Sequence, residues 1–326
     1  MDAPVSAGGH AQITGRVINR LKLRQLRLLI AVGRHGSILH AAREMNLSQP
    51  AATKIIKDLE ADFEVQLFER TNRGVLPTAA GEALIRGGQL IFSQIGTTAQ
   101  ELEDIAGGNA GRIVVGTLLA ASARLLPEAI ARVSEQRPRL VIKVVEGTNE
   151  VLMPRLRAGE LDLVVGRLPM MRHRSDLAQE KLMQGRIALV VRAGHPLLAR
   201  GTLAFDDLRA HGWILPPADT TLRRQLDQFF VEEGQFVPPR VVESVSFVTN
   251  RALLAGSDMI CAMPAELAHG DPAGGLAELP FALPFGDGPV GASYRSTTSL
   301  PPAAAALLEA LRAVAQPISA SERLGQ

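Results

Sequence analysis

Ser48–Glu60 reads SQPAATKIIKDLE, and each residue type in it has a place in one amphipathic helix. Ser48 suits an N-cap, because its hydroxyl can accept from an otherwise unpaired amide in the first turn. Pro50 falls in that turn, where a missing N–H costs little. Ala52, Ile56, Leu59 and Phe63 recur at helical spacing as one apolar stripe. The opposite face carries Gln49, Thr53, Lys54 and Lys57, side chains that reach phosphates or base edges. Alone, the pattern fits a solvated surface helix as well as a reading head. Its neighbours decide between them.

Upstream, Leu21–Gly33 predicts a helix with Leu23, Leu26, Leu29, Ile30 and Val32 on its apolar face, stopped by His35-Gly36. Ser37 caps a second helix, with Ile38, Ala41, Ala42 and Met45 inward. Asn46-Leu47 then turns the chain into the third. Two helices joined by so short a turn, the second with a polar face, form a helix-turn-helix. Downstream, Val65–Leu76 (VQLFERTNRGVL) places two short runs around Thr71-Asn72-Arg73-Gly74, which suits a hairpin. A hairpin carrying arginine just after a reading helix is a wing. Arg73 at its tip suits a minor groove, and Arg70 suits either a phosphate or a surface ion pair.

Thr78 opens a helical stretch to about Ala106, in which Leu84, Ile91, Ile95, Leu102 and Ile105 lie near heptad spacing. That favours self-association through a helix pair, although Gly87-Gly88 weakens its middle. Gly107-Gly108-Asn109-Ala110-Gly111 is a break and the expected domain boundary.

Beyond it the pattern alternates strand and helix. Strands are predicted over Arg112–Leu118, Leu140–Glu146, Leu161–Gly166, Arg186–Arg192, Trp213–Leu215, Val241–Val245, Met259–Ala262 and Pro289–Arg295. Single helices between strands imply right-handed crossovers and mostly parallel sheets. Two small α/β lobes joined by crossing strands leave a cleft at the strand ends. The chain therefore reads as an α/β multidomain protein. Residues 1–20 form a flexible leader, 21–77 a winged helix-turn-helix and 78–108 a linker helix. Residues 111–326 form a two-lobed domain, one lobe of 111–190 plus 290–315 and the other of 191–289.

Composition agrees. At 326 residues the chain has room for about two or three domains, and 46% apolar residues supply their cores. Net charge is only +2, yet Arg16–Gly74 carries 11 Lys/Arg against 6 Asp/Glu. A basic module on a near-neutral body points to a polyanion partner for the first part alone. The one cysteine, Cys261, allows no intramolecular disulfide and reads as a buried structural thiol in the apolar run Asp258–Pro264. Residues 1–20 lack the apolar core of a secretory signal, and no run approaches the ~18 apolar residues of a membrane span. A cytoplasmic protein without a membrane partner is expected. No GxSxG elbow, P-loop, HExxH or helix-opening GxGxxG occurs. The seven histidines are scattered, and His195 in GHPL reads as a hinge turn. The expectation is a non-enzyme with no cofactor and no metal.

Over residues 21–315 the sequence resembles the LysR-type transcriptional regulators. The most specific segments are LRQLRLL (Leu23–Leu29) and the run from Gly36 to Leu84, GSILHAAREMNLSQPAATKIIKDLEADFEVQLFERTNRGVLPTAAGEAL. The resemblance implies a winged helix-turn-helix, a dimerising linker helix and a two-lobed effector domain of the periplasmic-binding-protein type. It implies homodimers or homotetramers on double-stranded promoter DNA, acting on RNA polymerase in response to small, often carboxylated, metabolites. Carried over by residue, Gln49, Pro50, Thr53 and Lys54 read the major groove, Lys57 contacts a phosphate and Arg73 enters the minor groove. Ile55 departs from the family, where a polar residue is usual. It leaves one base or phosphate contact unfilled, or else meets a thymine methyl. The glycine pair in the linker helix and the twenty-residue leader are further departures.

In the effector half the resemblance brings Thr117 (VGTLLAAS), Thr148-Asn149 (EGTN) and Arg167 (VVGRLP) to one crevice, each after a strand. Ser122 adds a hydroxyl nearby. From the second lobe, Thr220-Thr221 and Ser246 precede helices whose N-terminal amides favour anions. Hydroxyls, helix N-termini and one arginine suit a small carboxylate, which Arg167 would hold as a fork. The dull alternatives are helix caps for the hydroxyls and an acidic neighbour for Arg167. Ligand closure of the cleft would shift a two-state balance. A solute-binding protein, the other class with such lobes, would lack the basic helix-turn-helix and carry a signal. A DNA-binding regulator with a ligand-free effector half remains the alternative.

Overall fold

A computed structural model describes residues 20–71, 74–107, 111–169, 176–269, 274–296 and 300–324. The leader expected over residues 1–20 lies, but for Arg20, outside these. The chain divides into two compact units, Met1–Ala99 and Gln100–Gln326.

In the first unit, α1 (Leu23–His35) buries Leu26, Leu28, Leu29, Ala31 and Val32. It ends at Gly36, whose left-handed backbone (φ 59°) returns an N–H to the Val32 carbonyl. Ser37 Oγ accepts from His40 N and starts α2 (Ile38–Glu44). Ser48 Oγ accepts from Ala51 N and starts α3 (Gln49–Phe63), with Pro50 in its first turn. Ala41, Ala42 and Ala52 are fully buried, so the helices meet through their smallest side chains. The hairpin of β1 (Phe68–Thr71) and β2 (Gly74–Pro77) pairs Arg70 with Val75 and Thr71 with Gly74. Val75 N donates to the Gly36 carbonyl at 2.8 Å, fastening the hairpin to the turn after α1. Gly74 sits at φ 133°, and any Cβ there would strike the Gly36 carbonyl. Only glycine fits. The division between the units falls inside α4 (Ala79–Gly107).

The second unit runs β3 (Arg112–Thr117), α5 (Leu119–Ser122), α6 (Leu125–Gln136), β4 (Val141–Glu146), α7 (Asn149–Arg157), β5 (Leu163–Arg167) and β6 (Leu177–Gly185). It continues with β7 (Ile187–Arg192), a 3-10 turn (Pro196–Ala199), α8 (Phe205–Leu208), β8 (Trp213–Leu215), α9 (Thr221–Glu232), β9 (Val241–Glu243), α10 (Phe247–Ala255), β10 (Ile260–Pro264), α11 (Glu266–His269) and β11 (Leu276–Glu278). It returns through β12 (Gly288–Arg295) to α12 (Pro302–Leu324). One sheet has the order β4-β3-β5-β12-β6 and the other β11-β7-β10-β8-β9.

In each sheet three neighbouring strands are parallel, and the crossing strands β12 and β7 run antiparallel to them. The expected lobe boundary at 190/191 falls inside β7, whose pairing with β10 and β11 places it whole in the second sheet. The boundary is Arg186, between β6 and β7. Both faces of each sheet are covered, as parallel strands require. Leu163 and Val165 pack with α6 and α12, while Val164 between them packs with α7. In the second sheet, Trp213, Leu189 and Ile260 meet the aromatics Phe205, Phe229 and Phe230. Ile214, Val190 and Cys261 meet Leu254 on the opposite face. Burial pushes the Cys261 thiol up to about 12, which makes it an inert core residue.

Candidate nucleic-acid interface and effector cleft

Gln49, Pro50, Thr53, Lys54 and Lys57, all expected to meet DNA, line one open surface depression on α3. They come together because residues three and four positions apart share a helix face. Apart from half-buried Thr53, each is exposed. The depression also holds Asp58, a carboxylate that sequence reasoning passed over. Ile55 is half-buried and packs against the core of the unit beside Ala52, Ile56 and Leu59. It belongs with the apolar stripe.

The wing is held to this helix by Glu60. Its Oε1 accepts from the amides of Leu67 (2.9 Å) and Phe68 (3.3 Å), the residues that lead into β1. Thr78 Oγ1 donates to the Gln66 carbonyl at 2.7 Å and accepts from Gly81 N, closing the other end of the hairpin onto α4. Arg70 occupies β1, opposite Val75. Arg73, at the expected tip, lies outside the described residues.

In the second unit the residues expected to bind ligand gather at the C-terminal strand ends. Thr117 pairs with Glu146 and Val165, so the segments carrying Thr148, Asn149 and Arg167 leave the sheet side by side. The hydroxyls of Thr117 and Ser122 are 3.2 Å apart, and both reach the Leu118 carbonyl. Thr148 stands at the N-cap of α7 without a side-chain capping bond. Asn149 Nδ2 donates to the Arg167 carbonyl at 3.1 Å, leaving its buried Oδ1 without a partner among the described residues. In the other lobe, Thr220 Oγ1 caps α9 by accepting from Arg223 N, and it donates to the Pro217 carbonyl. Ser246 Oγ caps α10 by accepting from Thr249 N. These two hydroxyls therefore do act as caps. Thr221 Oγ1 accepts from Arg224 Nη2 at 3.0 Å.

Arg224 was missed from sequence and joins the two lobes. Its Nη2 lies 3.9 Å from Glu150 Oε1 in the other lobe, so the first turns of α7 and α9 face one another. Leu119 at the start of α5 also crosses, packing against the apolar cluster of the second lobe, which Phe247 of α10 borders too. Ser122, on α5, and Ser246, at the cap of α10, thus belong to helices that both border that cluster.

Arg167 is placed differently from expectation. Its Nη2 donates to the carbonyls of Gly185 (3.3 Å) and Gly286, which flank the two strand crossings between the lobes. Gly286 (φ 108°) packs so tightly on Ile187 that a Cβ would come 2.8 Å from the Ile187 Cβ. The guanidinium binds the hinge rather than standing free as a fork. Burial lowers its pKa, opposed by the charges of Asp287 and Glu266. The sequence could not signal this, since the partner carbonyls are 18 and 119 residues away.

His195 is not a hinge turn. It lies beyond the far end of β7, buried, where its Nδ1 accepts from Leu197 N at 3.2 Å. Nε2 must then carry the proton and donate to the Asp258 carbonyl at 3.3 Å, which also accepts from His211 Nδ1 at 3.0 Å. Among the described residues no cluster of three or more His, Cys, Asp or Glu is poised to hold a metal, and no helix is long and apolar enough to cross a membrane.

A winged helix-turn-helix whose third helix presents Lys54 and Lys57 on an open face, followed by two α/β lobes joined across their strand ends by Arg224 and Glu150, is the architecture of a DNA-binding regulator with an effector domain. Residues 23–82 match the bacterial regulatory helix-turn-helix protein, lysR family, and residues 106–316 match the LysR substrate binding domain. The chain belongs to the LysR family of transcriptional regulators. It is 36% identical over 296 residues to the HTH-type transcriptional regulator GbpR of Azospirillum brasilense, covering 90% of this chain and 86% of that protein. To the HTH-type transcriptional regulator PcaQ of Agrobacterium fabrum it is 33% identical over 300 residues, 92% of this chain and 96% of that one. The crystal structure of CbnR, a LysR family transcriptional regulator, shares the fold with a TM-score of 0.57 at 23% identity, covering 91% of this chain and 100% of that chain. Full-length CbnR complexed with its target DNA matches with a TM-score of 0.56, again at 23% identity, over 90% of this chain and 100% of that one.

Proposed function

We propose that this DNA-binding regulator senses a small carboxylate held between the facing N-termini of α7 and α9. The observation that carries the reading is the Arg224–Glu150 contact across the lobes. Arg224 lies in the first turn of α9, where the helix dipole already disfavours a cation. A positive side chain there, opposite a second helix N-terminus, calls for an anion. Glu150 partly meets that need in the free protein, and a ligand carboxylate would replace it. Thr148, Asn149 and Thr221 lie within reach of the same place. Thr117, Ser122, Thr220 and Ser246 frame it as hydroxyls and caps. Arg167 couples the site to the hinge, since its carbonyl holds Asn149 and its guanidinium holds both crossings. Ligand binding then shifts the balance between open and closed lobes by its differential affinity for the two.

On DNA, Gln49, Pro50, Thr53 and Lys54 read base edges, Lys57 binds a phosphate, and Arg70 and Arg73 serve the wing. The exposure of Ile91 (42%), Ile95 (44%) and Leu102 (62%) on α4 supports pairing of that helix with a second copy, giving a homodimer or homotetramer. The complex works in the cytoplasm on RNA polymerase at its promoters.

The test is a thermal-shift screen of the full chain with small aliphatic and aromatic carboxylates. A carboxylate that raises the midpoint for the wild type, and not for Arg224→Ala, supports the reading. A shift retained by Arg224→Ala overturns the placement. No shift with any carboxylate favours the ligand-free effector half.

A further inference from the structure

We propose that Asp58 is a specificity-determining residue that reads cytosine in the operator. The inference rests on the reading of α3 as the major-groove helix and adds a residue to it. Asp58 is exposed in the depression shared by Gln49, Pro50, Thr53, Lys54 and Lys57. Among the described residues its carboxylate forms no hydrogen bond or ion pair, although Lys54 is four positions before it and Lys57 is adjacent. No structural duty holds it there. On a surface that approaches a polyanion, an idle carboxylate weakens binding to every sequence alike. Its place is accounted for if one base edge repays the repulsion with a specific contact.

The chemistry selects that base. An ionised carboxylate only accepts hydrogen bonds. In the major groove guanine presents two acceptors and thymine one acceptor with a methyl, so both repel it. Adenine offers its amino group beside the N7 acceptor. Cytosine offers the N4 amino group alone, and it is the base an aspartate can meet without opposition. Four residues along a helix is about 6 Å, so Asp58 reaches within roughly two base-pair steps of whatever Lys54 contacts. Lys54 as a donor matches guanine O6 and N7. A guanine for Lys54 and a cytosine for Asp58, within about two base-pair steps of each other, is the expected arrangement.

The experiment selects bound duplexes from a randomised DNA library with the full chain as wild type, Asp58→Ala and Asp58→Asn. The wild type should enrich a site with a cytosine column near the guanine that Lys54→Ala makes indifferent. Asp58→Ala should lose preference at that column alone, with affinity for the wild-type site falling about tenfold. Asp58→Asn should exchange cytosine for adenine there, since asparagine pairs with adenine N6 and N7. Affinity of both variants for random-sequence duplex should rise, which also shows that they remain folded. Unchanged base preferences with uniformly tighter binding would mean that Asp58 acts by charge alone, overturning the inference. If the wild type enriches no sequence, the reading of α3 fails first and this inference falls with it.

Discussion

Arg224 Nη2 stands 3.9 Å from Glu150 Oε1, joining the first turn of α9 in one lobe to the first turn of α7 in the other. The Arg224 side chain is 59% exposed, so solvent screens the pair and its contribution to stability is small. A double-mutant cycle of Glu150→Gln and Arg224→Gln, followed by thermal unfolding, should give a coupling of at most about 1 kcal/mol. Glu150→Gln should nevertheless tighten binding of a carboxylate ligand, by up to about fivefold if the whole of that coupling is released. The check is the ligand concentration at half-maximal thermal shift; an unchanged value would show that Glu150 does not compete with the ligand.

Glu60 ties the start of the wing to α3. Glu60→Ala removes the acceptor of two amides, of which Leu67 belongs to a fully buried residue. The expected loss is about 1–3 kcal/mol of local stability, the range for stranding a buried donor. Hydrogen exchange should show it as faster exchange at Leu67 and Phe68. Glu60→Gln keeps a carbonyl oxygen in place and should lose less. Equal protection in Glu60→Ala and the wild type would remove Glu60 as the clamp.

Lys54 and Lys57 line the same depression on α3, and on DNA they should fail differently. Lys54→Ala should weaken binding to the cognate promoter by about 1–3 kcal/mol and relax preference at one position. Lys57→Ala should weaken binding to all sequences and reduce the slope of log affinity against log salt by about 1. Titrations of cognate and random duplexes over a salt series separate the two. If the two variants behave alike, base readout by Lys54 is not supported.

Much of this was legible before any coordinates, and the rest was hidden for physical reasons. Ser37, Ser48 and Gly36 signal helix ends locally, so the helix-turn-helix follows from residues a few positions apart. Ile55 could also have been placed, since it lies three residues after Ala52 and four before Leu59, on the buried stripe. β6 could not. Its sequence, LAQEKLMQG, has no clean alternation, and the strand exists because it pairs along β12 across a register shift at Val290/Gly291. The hinge contacts of Arg167, and Arg224 altogether, were beyond reach for the same reason. Their roles depend on partners that only the closed topology of the two sheets brings near.

His195 gives the second lobe a pH dependence whose sign follows from its hydrogen bonds. Burial is the main influence lowering its pKa below the ordinary 6.5, and the positive charges of His211 and Arg192 lower it further. The Asp258 carbonyl and carboxylate oppose them. The unfolded chain therefore takes up the proton at a higher pH than the folded one. The stabilisation is present above the ordinary histidine value and is lost as pH falls through the lower folded pKa. Protonation also takes Nδ1 away as acceptor for Leu197 N. Asp258, held below the usual carboxylate range by Arg192, loses its contribution only at more acidic pH, so it does not cloud this window. Thermal unfolding between pH 8 and 5 should show the wild-type midpoint falling below about pH 6.5, the unperturbed histidine value. His195→Asn keeps a side-chain acceptor for Leu197 N and cannot titrate, so its midpoint should fall less over the same interval. An identical slope in the two proteins would assign the dependence to a group other than His195.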